Sequence, residues 1–123
     1  MPTDTTSVVA APGSRALEHP ARGDIRLADV LHALADPVRM RIVRVLAAAE
    51  GELNCVDVEL PVSKSTCTHH FRVLRECGVI QQNYRGTAKM NGLRRADLDA
   101  LFPGLIDGVL RAAELETGRL GDA

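Results

Sequence analysis

The sequence predicts a mainly α-helical domain with one small β-hairpin, in the order helix-helix-helix-helix-hairpin-helix. Three observations carry that prediction. Apolar residues recur at three- and four-residue spacing in three segments before residue 77. The period then shortens between Val79 and Leu93, around a glycine-containing turn. Beyond Arg95 the helical spacing returns.

Each element has its own signals. Residues 1–23 are rich in Thr, Ala, Pro, Gly and Ser without a sustained period, which predicts a disordered arm. Asp24 is placed to cap a helix from Ile25 to about Ala35, with Leu27, Val30, Leu31 and Leu34 as its stripe. Asp36-Pro37 marks a boundary, because proline disfavours helix at the residue before it and suits the first helical position after it. The second helix runs to about Ala49 with Val38, Ile42, Val45 and Leu46 on one face. Arg39, Arg41 and Arg44 lie off that stripe, and Gly51 is the stop. Asn54 caps a short third helix to about Leu60, cut off by Pro61. Ser63 caps a fourth to about Glu76, ended by Gly78, with Cys67, Phe71 and Leu74 facing inward. Val79–Tyr84 and Ala88–Leu93 suit two strands joined by Arg85-Gly86-Thr87. The last helical region starts near Arg95 and is broken or kinked at Phe102-Pro103. Leu98, Leu101, Leu105, Ile106, Val109, Leu110 and Ala113 give it an apolar face longer than a small domain covers, which implies a partner. The folded domain is expected over residues 24–116, with a flexible tail at 117–123.

Composition narrows the function. The 123 residues fit one domain whose core is aliphatic, since Trp is absent and only Phe71, Phe102 and Tyr84 are aromatic. No apolar run approaches the ~20 residues of a membrane span, and no secretory signal opens the chain. Three cysteines, an odd number, argue against a secreted disulfide framework and for a reducing cytoplasm. The formal charge is −1, but from Pro61 to Arg95 seven basic residues face the single acid Glu76. A basic segment in an otherwise acidic chain is the footprint of a phosphate-binding face. No Gly-rich phosphate loop, Gly-x-Ser-x-Gly turn or His-Glu-x-x-His motif occurs, so no enzyme, catalytic residue or cofactor is expected.

Two short helices separated by a tight turn, the second polar and basic outside, form a helix-turn-helix, and the hairpin behind it forms a wing. The expected architecture is therefore a winged helix-turn-helix. Its fourth helix can enter the major groove of double-stranded DNA. Lys64, Ser65, Thr66, Thr68, His69 and Arg72 can contact phosphates or base edges. Arg85 at the wing tip, with Lys89 and Tyr84 nearby, would reach phosphates or an adjacent minor groove. The alternative is a winged-helix protein-interaction module without DNA binding, which salt dependence distinguishes.

The stretch from Leu31 to Ile42, with Ala35-Asp36-Pro37 at its centre, resembles the opening signature of the ArsR/SmtB repressor family. Ser63 to Arg75 resembles its recognition helix, and Glu76-Cys77-Gly78-Val79-Ile80 its helix-to-wing junction. The resemblance spans about Leu27 to Leu110. It implies a homodimer built on the first and last helices that binds a palindromic operator and releases it when an effector binds. The chain departs from the pattern between Asp57 and Ser63, where it is about two residues shorter, and its wing lacks bulky residues. Family members often sense metals through Cys-x-Cys at the start of the third helix; here Glu52-Leu53-Asn54-Cys55-Val56-Asp57 holds one cysteine. A second family site uses Asp and His on the last helix, and no histidine follows His70. No metal site is therefore expected. Thiol oxidation at Cys55, Cys67 or Cys77 is favoured over metal, with small organic effectors or none left open. Cys67 and Cys77 are about 15 Å apart along a helix, too far to bridge.

Overall fold

The computed structural model describes residues 17–121, so residues 1–16 of the expected arm lie outside the described residues. The elements are α1 (Leu27–Leu34), α2 (Pro37–Ala48), β1 (Leu53–Asn54), α3 (Lys64–Glu76), β2 (Ile80–Arg85), β3 (Ala88–Leu93), α4 (Arg95–Leu101) and α5 (Leu105–Leu120). The three strands form an antiparallel sheet in the order β1-β3-β2. The winged helix-turn-helix architecture is thus present, with a short strand and a 3-10 turn over Cys55–Asp57 where the third helix was expected, and the apolar stripes meet in one core. Ile42 and Val43 of α2, Phe71 and Leu74 of α3, Val79, Ile80, Leu98 and Ile106 are each at most 2% exposed.

The cap signals act as expected at two helices. The Asp36 carboxylate accepts from the backbone N–H groups of Val38 (2.8 Å) and Arg39 (3.1 Å), with Pro37 in the first turn. The Ser63 hydroxyl accepts from Thr66 N at 3.2 Å. At the other end of α3, Gly78 takes φ +85°, and a Cβ there would stand 2.6 Å from Ile25 Cγ1. Only glycine lets the chain turn into the wing while Ile25 stays buried beneath it.

That contact explains the first correction. Asp24 does not cap α1; it ends a 3-10 turn over Arg22–Asp24, and the N-cap position is Arg26, without a side-chain cap bond. Ile25 is extended and 7% exposed, because inserting it under Gly78 delays the helix to Leu27. The segment before it, assigned to the arm up to Gly23, is held from Leu17 onward. Gln82 N donates to His19 Nε2 (2.9 Å), Arg94 Nη1 donates to the Pro20 carbonyl (2.8 Å), and Arg22 pairs with Asp97 (2.7 Å).

The expected third helix is not one. Leu53 and Asn54 pair with Asn91 and Met90 of β3, and Asn54 caps only a 3-10 turn over Cys55–Asp57, accepting from Val56 N at 3.3 Å. Strand pairing on one side and Pro61 on the other leave too few residues for a helix to repay its nucleation. Val58, 4% exposed, anchors the segment. The hairpin turn is shorter than expected by one residue. Arg85 pairs with Ala88, so the turn is Gly86-Thr87, with Gly86 at φ +65° in the first central position.

At the C-terminus the break at Phe102-Pro103 separates α4 from α5, but α5 runs to Leu120, beyond the tail boundary set at 117. Its apolar face is better covered than expected. Ile106 is buried, and Leu105, Val109 and Leu110 pack against the core. The leucines left open are Leu115 (51% exposed) and Leu120 (73%) on α5, with Leu27 and Leu31 (both 46%) on α1.

Candidate nucleic-acid interface

α3 presents Lys64, Ser65, Thr66, Thr68, His69 and Arg72 to solvent, while Phe71 and Leu74 hold its other side in the core. Lys64, Thr68 and Arg72 follow at four-residue steps and so share one face. Lys64 and Arg72 form no hydrogen bond or ion pair among the described residues. The hydroxyls are less free. Thr68 Oγ1 donates to the Lys64 carbonyl at 3.0 Å, so only its lone pairs face outward. Thr66 Oγ1 accepts from Ser63 Oγ at 2.9 Å within the helix cap. His69 is exposed, its ring tilted against that of His70 with centroids 5.6 Å apart.

The wing is different. Arg85 is exposed, but its guanidinium donates to Glu52 Oε1 at 2.9 and 3.3 Å, and Asn83 holds the other carboxylate oxygen. Lys89 is half-buried with its ammonium 5.5 Å from the Tyr84 ring centroid. The other cations of the basic window are engaged inside the domain. Arg75 donates to Gln82, Arg94 pairs with Asp97 (2.8 Å), and Arg95 pairs with Asp107 and Asp99. The charge surplus counted between Pro61 and Arg95 is therefore offset by acids from outside that window, and the outward basic surface is narrower than the count implies.

Three polar arrangements, two buried and one half-buried, position this surface. Gln82 and Asn91, 1% and 0% exposed, join α3 to the sheet. Arg75 Nη1 donates to Gln82 Oε1 (2.8 Å), Gln82 Nε2 to Asn91 Oδ1 (2.7 Å), and Asn91 Nδ2 to the Leu53 carbonyl (3.2 Å). Arg39, expected off the core, is 8% exposed. It donates to the carbonyls of Ala33 (2.7 Å) and His32 (3.2 Å) at the end of α1, and its Nη1 lies 3.3 Å from His70 Nδ1 of α3. His70 also stands 4.0 Å from the Asp36 carboxylate. Burial would raise Asp36; the Arg39 and Val38 N–H groups, with the charges of His70 and Arg39, outweigh it and hold the carboxyl below its ordinary value. Third, His19, in the segment before α1, accepts from Gln82 N of β2 and is held below its ordinary value, chiefly by burial. Its bond to the Leu17 carbonyl opposes this, and the Arg94 and Arg75 charges add to it.

No sequence motif assigns a role to Glu52, Gln82, Asn91 or His19. Strand alternation places Gln82 on the inner side with Ile80, a signal that was available. The Glu52–Arg85 pair spans 33 residues and has no local signature.

The cysteines divide. Cys55 and Cys67 line one cavity, between the 3-10 turn and α3, and all three thiols are free and half-buried. Burial pushes Cys67 above its ordinary value, with Cys55 adding to it. Burial also raises Cys77, with Asp29 and Glu76 reinforcing and Arg39 opposing. Among the described residues no cluster of three or more His, Cys, Asp or Glu could hold a metal ion. No described helix is long and apolar enough to cross a membrane.

Residues 34–82 match a helix-turn-helix domain model. The chain is 30% identical over 82 residues to an uncharacterized HTH-type transcriptional regulator, YceK, of Bacillus subtilis (strain 168), covering 65% of this chain and 82% of that protein. A solved possible transcriptional regulator for arsenical resistance is similar at 32% identity and TM-score 0.52, over 70% of this chain and 94% of that one. The transcriptional repressor BigR from Xylella fastidiosa is similar at 26% identity and TM-score 0.50, over 62% of this chain and 85% of that one.

Proposed function

The chain belongs to the ArsR/SmtB family of winged helix-turn-helix transcriptional regulators, and on that premise we propose that it is a cytoplasmic homodimeric repressor of a palindromic operator, released by thiol oxidation. The observation that carries the DNA-binding part is the α3 face. A capped helix held by its apolar side presents two cations without internal partners among the described residues, with small hydroxyl residues between them. Such a face allows close backbone approach and charge-assisted contact with phosphates and base edges. Arg72 and Lys64 contribute most, Ser65, Thr68 and His69 offer polar contacts to base edges, and Arg85 and Lys89 supply phosphate contacts from the wing.

Dimerisation is supported by Leu27, Leu31, Leu115 and Leu120, the leucines that the domain leaves open on its first and last helices. A palindromic operator follows from two such units related by a two-fold axis.

The test is titration of a labelled duplex from the protein's own upstream DNA at several salt concentrations. Affinity should fall steeply with salt, with a slope set by the phosphates neutralised. A flat dependence would overturn the repressor reading in favour of a protein-interaction module. The same duplex, with protein reduced, peroxide-treated or supplied with zinc or cadmium, identifies the trigger. In the oxidation step peroxide converts the Cys55 thiol to a sulfenic acid and water. The Cys67 thiol then displaces a second water to give a disulfide. Replacing all three cysteines by Ser should abolish the peroxide response, and a surviving response ends the thiol proposal.

A further inference from the structure

We propose that the cavity between the Cys55–Asp57 turn and α3 binds a small amphipathic carboxylic acid, with an apolar body inside and its carboxylate between Lys64 and Lys89. The cavity has a volume of about 360 Å³, within the size range of small-molecule sites and equal to roughly a dozen waters of liquid volume. Its walls are Val56, Val58, Leu60, Val62 and Phe71, with the two thiols among them. The Cys67 thiol, pushed up by burial, is neutral at physiological pH and packs as a soft apolar group.

Charge complementarity selects the occupant. The cavity lining includes two lysines and no acid; Asp57 and Glu59 are close in sequence but do not line it. Lys64 has no internal partner among the described residues, and Lys89 has only the Tyr84 ring. Val56, 74% exposed, leaves one wall open to solvent that an alkyl or aryl group would cover. An uncharged apolar ligand would leave both ammonium groups uncompensated, and an inorganic anion would leave the apolar walls bare. A monocarboxylic acid with a medium-length chain satisfies both.

The consequence for DNA rests on the operator reading above. Lys64 and Lys89 are also proposed phosphate contacts, so a bound carboxylate competes for two of the cations that hold the duplex.

The probes are octanoate, octanamide and acetate, added to the reduced full chain. Binding is followed by calorimetry and by amide chemical shifts. Octanoate should saturate, shifting amides at residues 55–60, 62, 67, 68, 71 and 89, and should bind at least tenfold more tightly than octanamide or acetate. Val62→Trp, which fills the cavity from its edge, should abolish the saturable binding. Lys64→Gln with Lys89→Gln should remove the preference for acid over amide. Circular-dichroism melts verify that each variant folds, and a second filling variant, Leu60→Phe, replaces any that does not. Equal binding of acid and amide, binding that survives filling of the cavity, or shifts located elsewhere would overturn the site. Loss of the salt-dependent DNA interaction would overturn the operator reading and leave octanoate binding standing, and the reverse result separates the two in the other direction.

Discussion

α3 and the hairpin behind it both carry outward cations, yet their cations are in different states before any partner arrives. Lys64 and Arg72 have no hydrogen bond or ion pair among the described residues, whereas Arg85 is held twice by Glu52 and Lys89 rests on Tyr84. A phosphate approaching α3 displaces only water. One approaching the wing tip must first release a carboxylate, and the loss of that pair offsets part of the gain. Formal charge along a sequence is thus a poor measure of charge available to a ligand.

The largest effect should come from the helix. Arg72→Ala should cost about 1–3 kcal/mol of operator binding, roughly five- to 150-fold, and relax selectivity against mutated operator positions. An unchanged affinity in a duplex titration would mean that α3 does not face bases. A smaller effect is expected at the wing. Arg85→Ala should weaken all duplexes alike by a few-fold and reduce the salt slope by about 1. Glu52→Gln should act in the opposite sense, tightening DNA and steepening the slope, and combining the two changes should leave the Arg85 loss larger than in the parent. If Glu52→Gln has no effect, the pair does not restrain the wing. The smallest effect concerns the strap on β2. The His19 bond to Gln82 N requires a neutral ring, and its value is held below the ordinary 6.5. Its contribution is therefore complete above about pH 6.5 and declines as pH falls through the lower folded value. Hydrogen exchange at the Gln82 amide, corrected for intrinsic rate, should accelerate on acidification, and His19→Ala should remove that dependence.

Most of the fold was legible because its punctuation is chemical and local. Asp36-Pro37, Ser63, Gly78 and Gly86 each fix a boundary through a cap, a ring or a left-handed turn, and Phe71 and Leu74 declare the inner side of α3. What escaped was long-range. A two-residue strand has no period to detect, so β1 went unseen beside Asn54, and the helix expected after it is a 3-10 turn that Pro61 leaves no room to extend. Arg39 is charged and stands off the apolar stripe, and only the carbonyls ending α1 explain its burial. The outward residues of α3 follow from helical spacing. Which wing cations are already occupied depends on Glu52, 33 residues away. The oxidation proposal stands on the cysteines alone, and the structure adds that two of them share a cavity.

Arg39 has one more implication. Its guanidinium reaches from α2 to the last carbonyls of α1 and to the ring of His70 in α3, so three helices share a single planar fastener. α1 bears Leu27 and Leu31, where a second copy would seat, and the ring it touches sits beside His69. The gap between two paired α3 helices would then be gauged by one rigid side chain. Shortening the fork, as in Arg39→Lys, would detune the span between half-sites even where each half still fits its own groove.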